Sequence, residues 1–159
     1  MADMFRFTFR LPIWLVLAGF LALTPSVSWA AAPHPLIQAI NAVRGDHRLG
    51  YFRYSFTLTR AAERHARDMF ARQYFSHTTP TGRPFRTWLA DGPASFRSVG
   101  ENLAIGQSSF ADVLAAWQSS GPHRQNLFST TLTHAGVAFL TGPWQGRPTT
   151  IAVAMFGGL

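Results

Sequence analysis

The 159-residue chain contains no cysteine. Disulfides, thiolate nucleophiles and cysteine-bound zinc are therefore closed to it. Lysine is missing as well, so all 14 side chains counted as Lys or Arg are arginine. Acids are scarce, with 7 Asp and Glu and a formal net charge of +7. A basic balance can mark nucleic-acid binding. Here the arginines are scattered, with no run, no interleaved aromatics and no accompanying nucleic-acid motif. That pattern excludes specific nucleic-acid recognition and leaves weak attraction to anionic envelope polymers. The usual catalytic signatures are missing too. There is no G-x-S-x-G nucleophile elbow, no H-E-x-x-H zinc helix, no P-loop and no G-x-G-x-x-G.

What is present begins with a leader-like segment. Arg6 and Arg10 precede an apolar stretch over 11–24. That stretch is short of the ~20 residues a spanning helix needs. Ser28-Trp29-Ala30 places small residues before a cut after Ala30. Residues 1–30 are thus expected to be a signal peptide and 31–159 a single exported domain, periplasmic or extracellular. The remainder is large enough for one hydrophobic core.

Within that domain Leu36, Ile37, Ile40 and Val43 recur at helical spacing. Residues 49–58, rich in aromatics, read as a packed loop. Thr59 is a suitable N-cap for a second helix reaching Gln73, with Ala62, Ala66, Met69 and Phe70 as its buried stripe. Glu63–Arg67 and Asp68–Arg72 are i,i+4 pairs on its solvated face. A loop over 74–84 leads to a short helix near 85–90 and a turn at 91–93. A strand is expected over 98–105. Ser109 with Asp112 forms a capping box that opens a third helix with Phe110, Val113, Leu114 and Trp117 as its apolar face. Another short helix starts at Ser120-Gly121-Pro122. Residues 135–140 and 149–156 read as a hairpin with a long loop over 141–148. No repeat or second domain is visible, and helices mixed with strands indicate an α+β layered fold.

Three polar residues stand out. His77 follows Phe75-Ser76 in the loop after the second helix. Glu101 sits among Val99, Leu103 and Ile105 on an apolar strand, where an unpaired carboxylate costs several kcal/mol to bury. It therefore needs partners or an exposed strand end. His123 lies three residues after Ser120, whose hydroxyl is expected to cap the helix by accepting the N–H of residue 123. Two imidazoles and a carboxylate can bind metal, move protons or bond one another. A Ser120–His123–Glu101 triad lacks any visible oxyanion hole. His65 reads as a packed helix residue, His34 and His47 as solvent-facing, and His134 as structural at the start of a strand.

These pieces, in their order, resemble the CAP superfamily (cysteine-rich secretory proteins, antigen 5 and pathogenesis-related proteins; SCP domains), most closely its cysteine-free bacterial branch. The resemblance rests on Asn41-Ala-Val-Arg44, on the helix through Ala62-Glu-Arg-His-Ala-Arg-Asp-Met69, and on Phe75-Ser-His77. It continues through Gly100-Glu-Asn102, Trp117-x-x-Ser120, His123-Arg-x-Asn126, Ala135-Gly-Val137 and Phe156-Gly157. It implies a three-layer α-β-α sandwich with a central antiparallel sheet. It also implies a cleft built on two histidines and two acids, here His77, Glu101 and His123, with Ser120 in the place of the second acid. Some members of the family bind divalent metal there. His77, His123 and Glu101 would be the metal residues of this chain and also its candidate catalytic groups. An opposite charge at ~4 Å is worth about 4 kcal/mol at an effective dielectric of ~20, so the serine should weaken cation binding. Weak, pH-dependent zinc binding is the resulting expectation.

The resemblance gives a scaffold more surely than an activity. The first expectation is a binding module whose cleft takes a metal, a lipid or an envelope component. A zinc- or acid/base-dependent hydrolase and a purely structural envelope protein are the alternatives.

Overall fold

The computed structural model describes residues 34–89 and 95–159. The proposed signal peptide and the turn expected at 91–93 lie outside the described residues. Four helices, α1 (Pro35–Asp46), α2 (Phe56–Arg72), α3 (Phe110–Ser119) and α4 (Gly121–Leu127), surround four strands. The strands are β1 (Arg53–Tyr54), β2 (Ser98–Ile105), β3 (His134–Trp144) and β4 (Arg147–Gly158), in the order β1-β3-β4-β2. β2 and β3 both pair antiparallel with β4, while the two-residue β1 joins β3 in parallel at one edge. A 3₁₀ helix covers Phe85–Leu89.

Alternation along the strands divides the core in two. Ile151, Val153 and Met155 of β4 face α2 and pack with Leu58, Ala62, Ala66, Met69 and Leu103. Ala152, Ala154 and Phe156 face the other way, toward Leu36, Ile40, Val113, Trp117 and Leu127 of the other three helices. The result is a three-layer sandwich, as the resemblance implies. The small side chains Ala61, Ala62 and Ala66 let α2 lie close on the sheet, and all three are fully buried. Trp117, also fully buried, donates its indole N–H to the carbonyl of Leu103 at 3.0 Å and so ties α3 to β2.

Several local expectations are corrected. α2 begins at Phe56, three residues earlier than Thr59 suggests, because the hydroxyl of Ser55 accepts the Leu58 N–H at 3.4 Å. Thr59 instead lies within the first turn, donating its N–H to the Ser55 carbonyl at 3.0 Å. The aromatic segment before it is only partly packed. Phe52 is buried against Phe156, whereas Tyr51, Tyr54 and Phe56 are exposed. The hairpin has no long loop. β3 and β4 continue to a two-residue turn, Gln145-Gly146, with both residues at positive φ, as a type I′ turn requires. His34 is not simply solvent-facing. Its Nδ1 caps α1 by accepting the Leu36 N–H at 3.1 Å, and its ring meets Phe110 edge-on.

Candidate functional site

The centre of the site is Glu101. Its place in β2, opposite Met155 of β4, turns the side chain toward α2. Only 5% of the residue is exposed. Its burial is compensated by two imidazoles, one on each carboxylate oxygen. His65 Nδ1 lies 2.7 Å from Oε2 and His77 Nδ1 lies 2.7 Å from Oε1. Each Nδ1 must carry a proton to donate to the carboxylate, which fixes the tautomer of both rings when neutral.

The two histidines differ in environment. His65 is fully buried in the apolar face of α2, stacked on Trp88 with ring centroids 5.5 Å apart. Its Nε2 is enclosed without a hydrogen-bond partner. His77 has a side chain about half exposed, at 51%. The loop that carries it is closed by the Phe85 N–H, which donates to the His77 carbonyl at 2.8 Å, and by the pairing of Thr78 with Pro84. Phe85 also stands edge-on to the His77 ring. The exposed edge of this imidazole is its Nε2 side, since Nδ1 is engaged.

The Gly100-Glu101-Asn102 sequence works through both faces of the sheet. Glu101 points to α2, and Asn102 points to α4. Asn102 donates its amide to the carbonyl of His123 at 3.0 Å, and Asn126 donates to Asn102 Oδ1 at 2.8 Å and to the Glu101 carbonyl at 3.2 Å. A Cβ at Gly100 would lie 2.5 Å from Asn126 Oδ1, so any larger residue would displace the Asn126 amide from these bonds. The asparagine pair thus fixes α4, and with it His123, against β2. Since β2 is an edge strand, groups from both helical layers can meet beyond its free side.

Electrostatics links the two open imidazoles. The hydrogen bond to Glu101 raises the pKa of His77, against partial burial, with the carboxylate charge adding to the rise. Burial lowers the pKa of His123, and charge on His77 lowers it further. A raised folded-state pKa means that His77 contributes stability below its unfolded value of about 6.5, and that this contribution fades as pH rises through the folded value. The stability difference between wild type and His77→Gln, from urea unfolding, should therefore be largest below about pH 6.5 and shrink as the pH rises above it. A difference that grows instead would show that Glu101 does not favour imidazolium. His123, shifted the other way, adds an opposing trend, and the part of it that comes from His77 charge is absent in His77→Gln.

Ser120 joins α3 to α4 in extended conformation, but its hydroxyl makes no cap bond to the residue 123 N–H. Its carbonyl instead accepts the Arg124 N–H at 2.8 Å. Among the described residues no hydroxyl is hydrogen-bonded to His77 or His123. No three His, Asp or Glu side chains converge as a ready metal-ligand set among them either. Glu101 explains part of this, because both of its oxygens already hold imidazoles. Glu101, bonded to His77 Nδ1, orients that ring and leaves its Nε2 as the open nitrogen.

His65 is the site residue that sequence reasoning missed. It lies on the same helical face as Ala62, Ala66 and Met69, which reads as core. A histidine inside that stripe, facing an apolar strand that carries one glutamate, was the available signal.

Comparisons with known proteins agree with this architecture. The sequence model described as CAP, cysteine-rich secretory protein family, matches residues 37–156. An uncharacterized protein, YkwD, of Bacillus subtilis (strain 168) is 33% identical over 114 residues, which cover 71% of this chain and 44% of that protein. An uncharacterized membrane protein, YlbC, of the same organism is 28% identical over 64% of this chain and 30% of its own length. The chain thus spans less than half the length of these relatives. An extracellular protein containing an SCP domain from Bacillus anthracis superposes with a TM-score of 0.67 at 26% identity, covering 79% of this chain and 39% of that one. An outer surface protein from Borrelia burgdorferi superposes with a TM-score of 0.69 over 78% of this chain and 90% of its own, and at 24% identity this likeness concerns the fold.

Proposed function

The chain belongs to the cysteine-rich secretory protein (CAP) family, and from that premise we propose that it is an exported binding module whose cleft is built on His77 and His123 with Glu101 behind them. The observation that carries this reading is the state of Glu101. Both carboxylate oxygens are bound by imidazoles and only 5% of the residue is exposed, so it orients His77 rather than activating water itself. The outward edge of His77 and the side chain of His123 remain as neutral nitrogen donors above their respective pKa values. A divalent cation such as zinc suits two imidazoles, with water or a ligand group completing the coordination. When bound, the metal would supply an electrophilic centre in the cleft. The serine at position 120 supplies no second charge, so binding is weak and is lost as protons compete. A lipid or an envelope polymer is the alternative occupant of the same cleft.

Export is supported by the leader-like composition of 1–30 and by the extracellular and outer-surface origin of the structural relatives. No helix among the described residues is long and apolar enough to cross a membrane. The hydrolase alternative has one point in its favour, the Glu101–His77 contact, which resembles the orienting half of a catalytic triad. Against it, no nucleophile among the described residues is hydrogen-bonded to either imidazole.

Calorimetric zinc titration of the purified, metal-stripped protein near neutral pH is the deciding experiment. Saturable one-to-one binding that disappears in the His77→Ala/His123→Ala double variant is the expected result. Absence of binding in the wild type would reduce the trio to a structural cluster and redirect attention to lipid and envelope ligands.

A further inference from the structure

A second polar concavity lies apart from the His77–Glu101–His123 group, where the end of α1, β1 and the start of β3 meet. It is a pocket of about 370 Å³ whose lining includes Arg44, Tyr51, Arg53, Thr130, Thr133 and His134. None of these residues takes part in the proposed cleft. The lining contains no Asp or Glu.

Arg44 is the unusual member. It belongs to the Asn41-Ala-Val-Arg44 sequence and is only 3% exposed. Its Nε donates to the Gly50 carbonyl at 2.7 Å. Its Nη1 donates to the carbonyls of Leu127 and Ser129 at 2.6 and 2.9 Å. The guanidinium carbon stands 3.9 Å above the centre of the Phe52 ring. All of these partners are neutral. A guanidinium carries five N–H donors, and Nη2 has no acceptor among the described residues, yet it is not among the enclosed unpartnered atoms. A buried cation without a counter-ion is costly, and burial lowers the pKa of Arg44 with no carboxylate opposing the shift. Arg53 is exposed, and its side chain makes no hydrogen bond or ion pair among the described residues. His134 has only its Nδ1 engaged, by the Thr133 hydroxyl at 2.9 Å. The backbone end at Leu159 also borders the pocket, but that residue is 67% exposed and forms no ion pair with either arginine.

We propose that this pocket binds a small oxyanion, a phosphate or the phosphate group of a phosphomonoester, through Arg44 and Arg53. Two guanidinium groups and the hydroxyls of Tyr51, Thr130 and Thr133 offer donors from several directions. That suits a tetrahedral anion, whose oxygens accept around the whole sphere. The volume exceeds that of the bare ion and leaves room for a sugar beside Tyr51.

The test is titration of the purified protein with inorganic phosphate and, separately, with glucose 6-phosphate, followed by calorimetry and by amide shifts in NMR. Arg44 holds three carbonyls in place, so the variants are Arg53→Ala and Arg53→Glu, which alter an exposed side chain. Saturable binding with shifts at residues 51–53 and 130–134 is expected. It should weaken about tenfold in Arg53→Ala, the loss of one charge-assisted bond, and vanish in Arg53→Glu. The His77→Ala/His123→Ala protein should bind unchanged. Equal affinity for the two ligands would assign recognition to phosphate alone, and tighter binding of the sugar phosphate, lost in Tyr51→Ala, would add the sugar to the site. No saturable binding of either ligand overturns the proposal. So does affinity indifferent to Arg53, or affinity abolished by the histidine variant.

Discussion

Replacing Glu101 with alanine should destabilise the protein by about 3–5 kcal/mol, the usual range for removing one partner of a buried ionic cluster. The loss has two sources. Two charge-assisted hydrogen bonds disappear, and His65, fully buried, keeps an Nδ1–H with no acceptor. Glu101→Gln should lose less. Its carbonyl oxygen can still accept from one imidazole, and its NH₂ can donate to the other once that ring changes tautomer. Urea unfolding of the two variants at neutral pH measures both effects. In NMR titration the His77 pKa should fall in Glu101→Ala, because the hydrogen bond that raises it is gone. Equal stabilities for wild type and Glu101→Ala would mean that the carboxylate is not the hub of the site.

Gly136→Ala should be of similar size for a purely steric reason. A Cβ at this position would lie 2.7 Å from Leu58 Cβ and closer still to the Leu58 carbonyl carbon and the Thr59 nitrogen. The obstructing atoms include main chain in the first turn of α2, so no side-chain rotation relieves the clash. α2 would have to lift from β3, loosening the contacts of Leu58, Ala62 and Met69 with the sheet. Overpacking of a tight core costs about 1–3 kcal/mol where side chains can adjust, so a loss of at least about 3 kcal/mol is expected where they cannot. Thermal unfolding of Gly136→Ala beside the wild type reads this directly. A change within experimental error would place α2 farther from β3 than described.

These two residues also show how far the sequence could be read. Gly136 and Glu101 both lie in short motifs that reveal the family, and the three-layer architecture followed from that likeness. β2 was legible because Val99, Leu103 and Ile105 fall on one face at two-residue spacing, despite Gly100-Glu101-Asn102 between them. The capping of α3 was legible because its partners are all local: the Asp112 N–H lies 3.1 Å from the Ser109 hydroxyl, and the Asp112 carboxylate accepts from the Ser108 and Ser109 hydroxyls. What escaped reading depends on distant pairing. His65 reads as core until the strand 36 residues away brings a carboxylate to its ring. The hairpin reads as a loop because Pro143 and Pro148 interrupt it. They face each other in the register, where neither needs to donate a ladder bond, so the strands pass through them. Ser120 offers a hydroxyl at a helix start, but between two helices its main chain alone makes the junction.

The order of the sheet sets when the chain can fold. β1 pairs only with β3, and β2 only with β4, so every strand pair of the sheet needs residues at or beyond His134. The apolar face of α2 likewise waits for Ala138, Val153 and Met155. A nascent chain emerging from the ribosome therefore holds helices without a sheet to dock on until β3 and β4 are made. Long-range pairing of this kind is slow as well as late. Under the export proposed above, that delay would keep the polypeptide threadable through a narrow translocation channel. With no cysteine to oxidise, completion of the sheet needs only the β3–β4 hairpin.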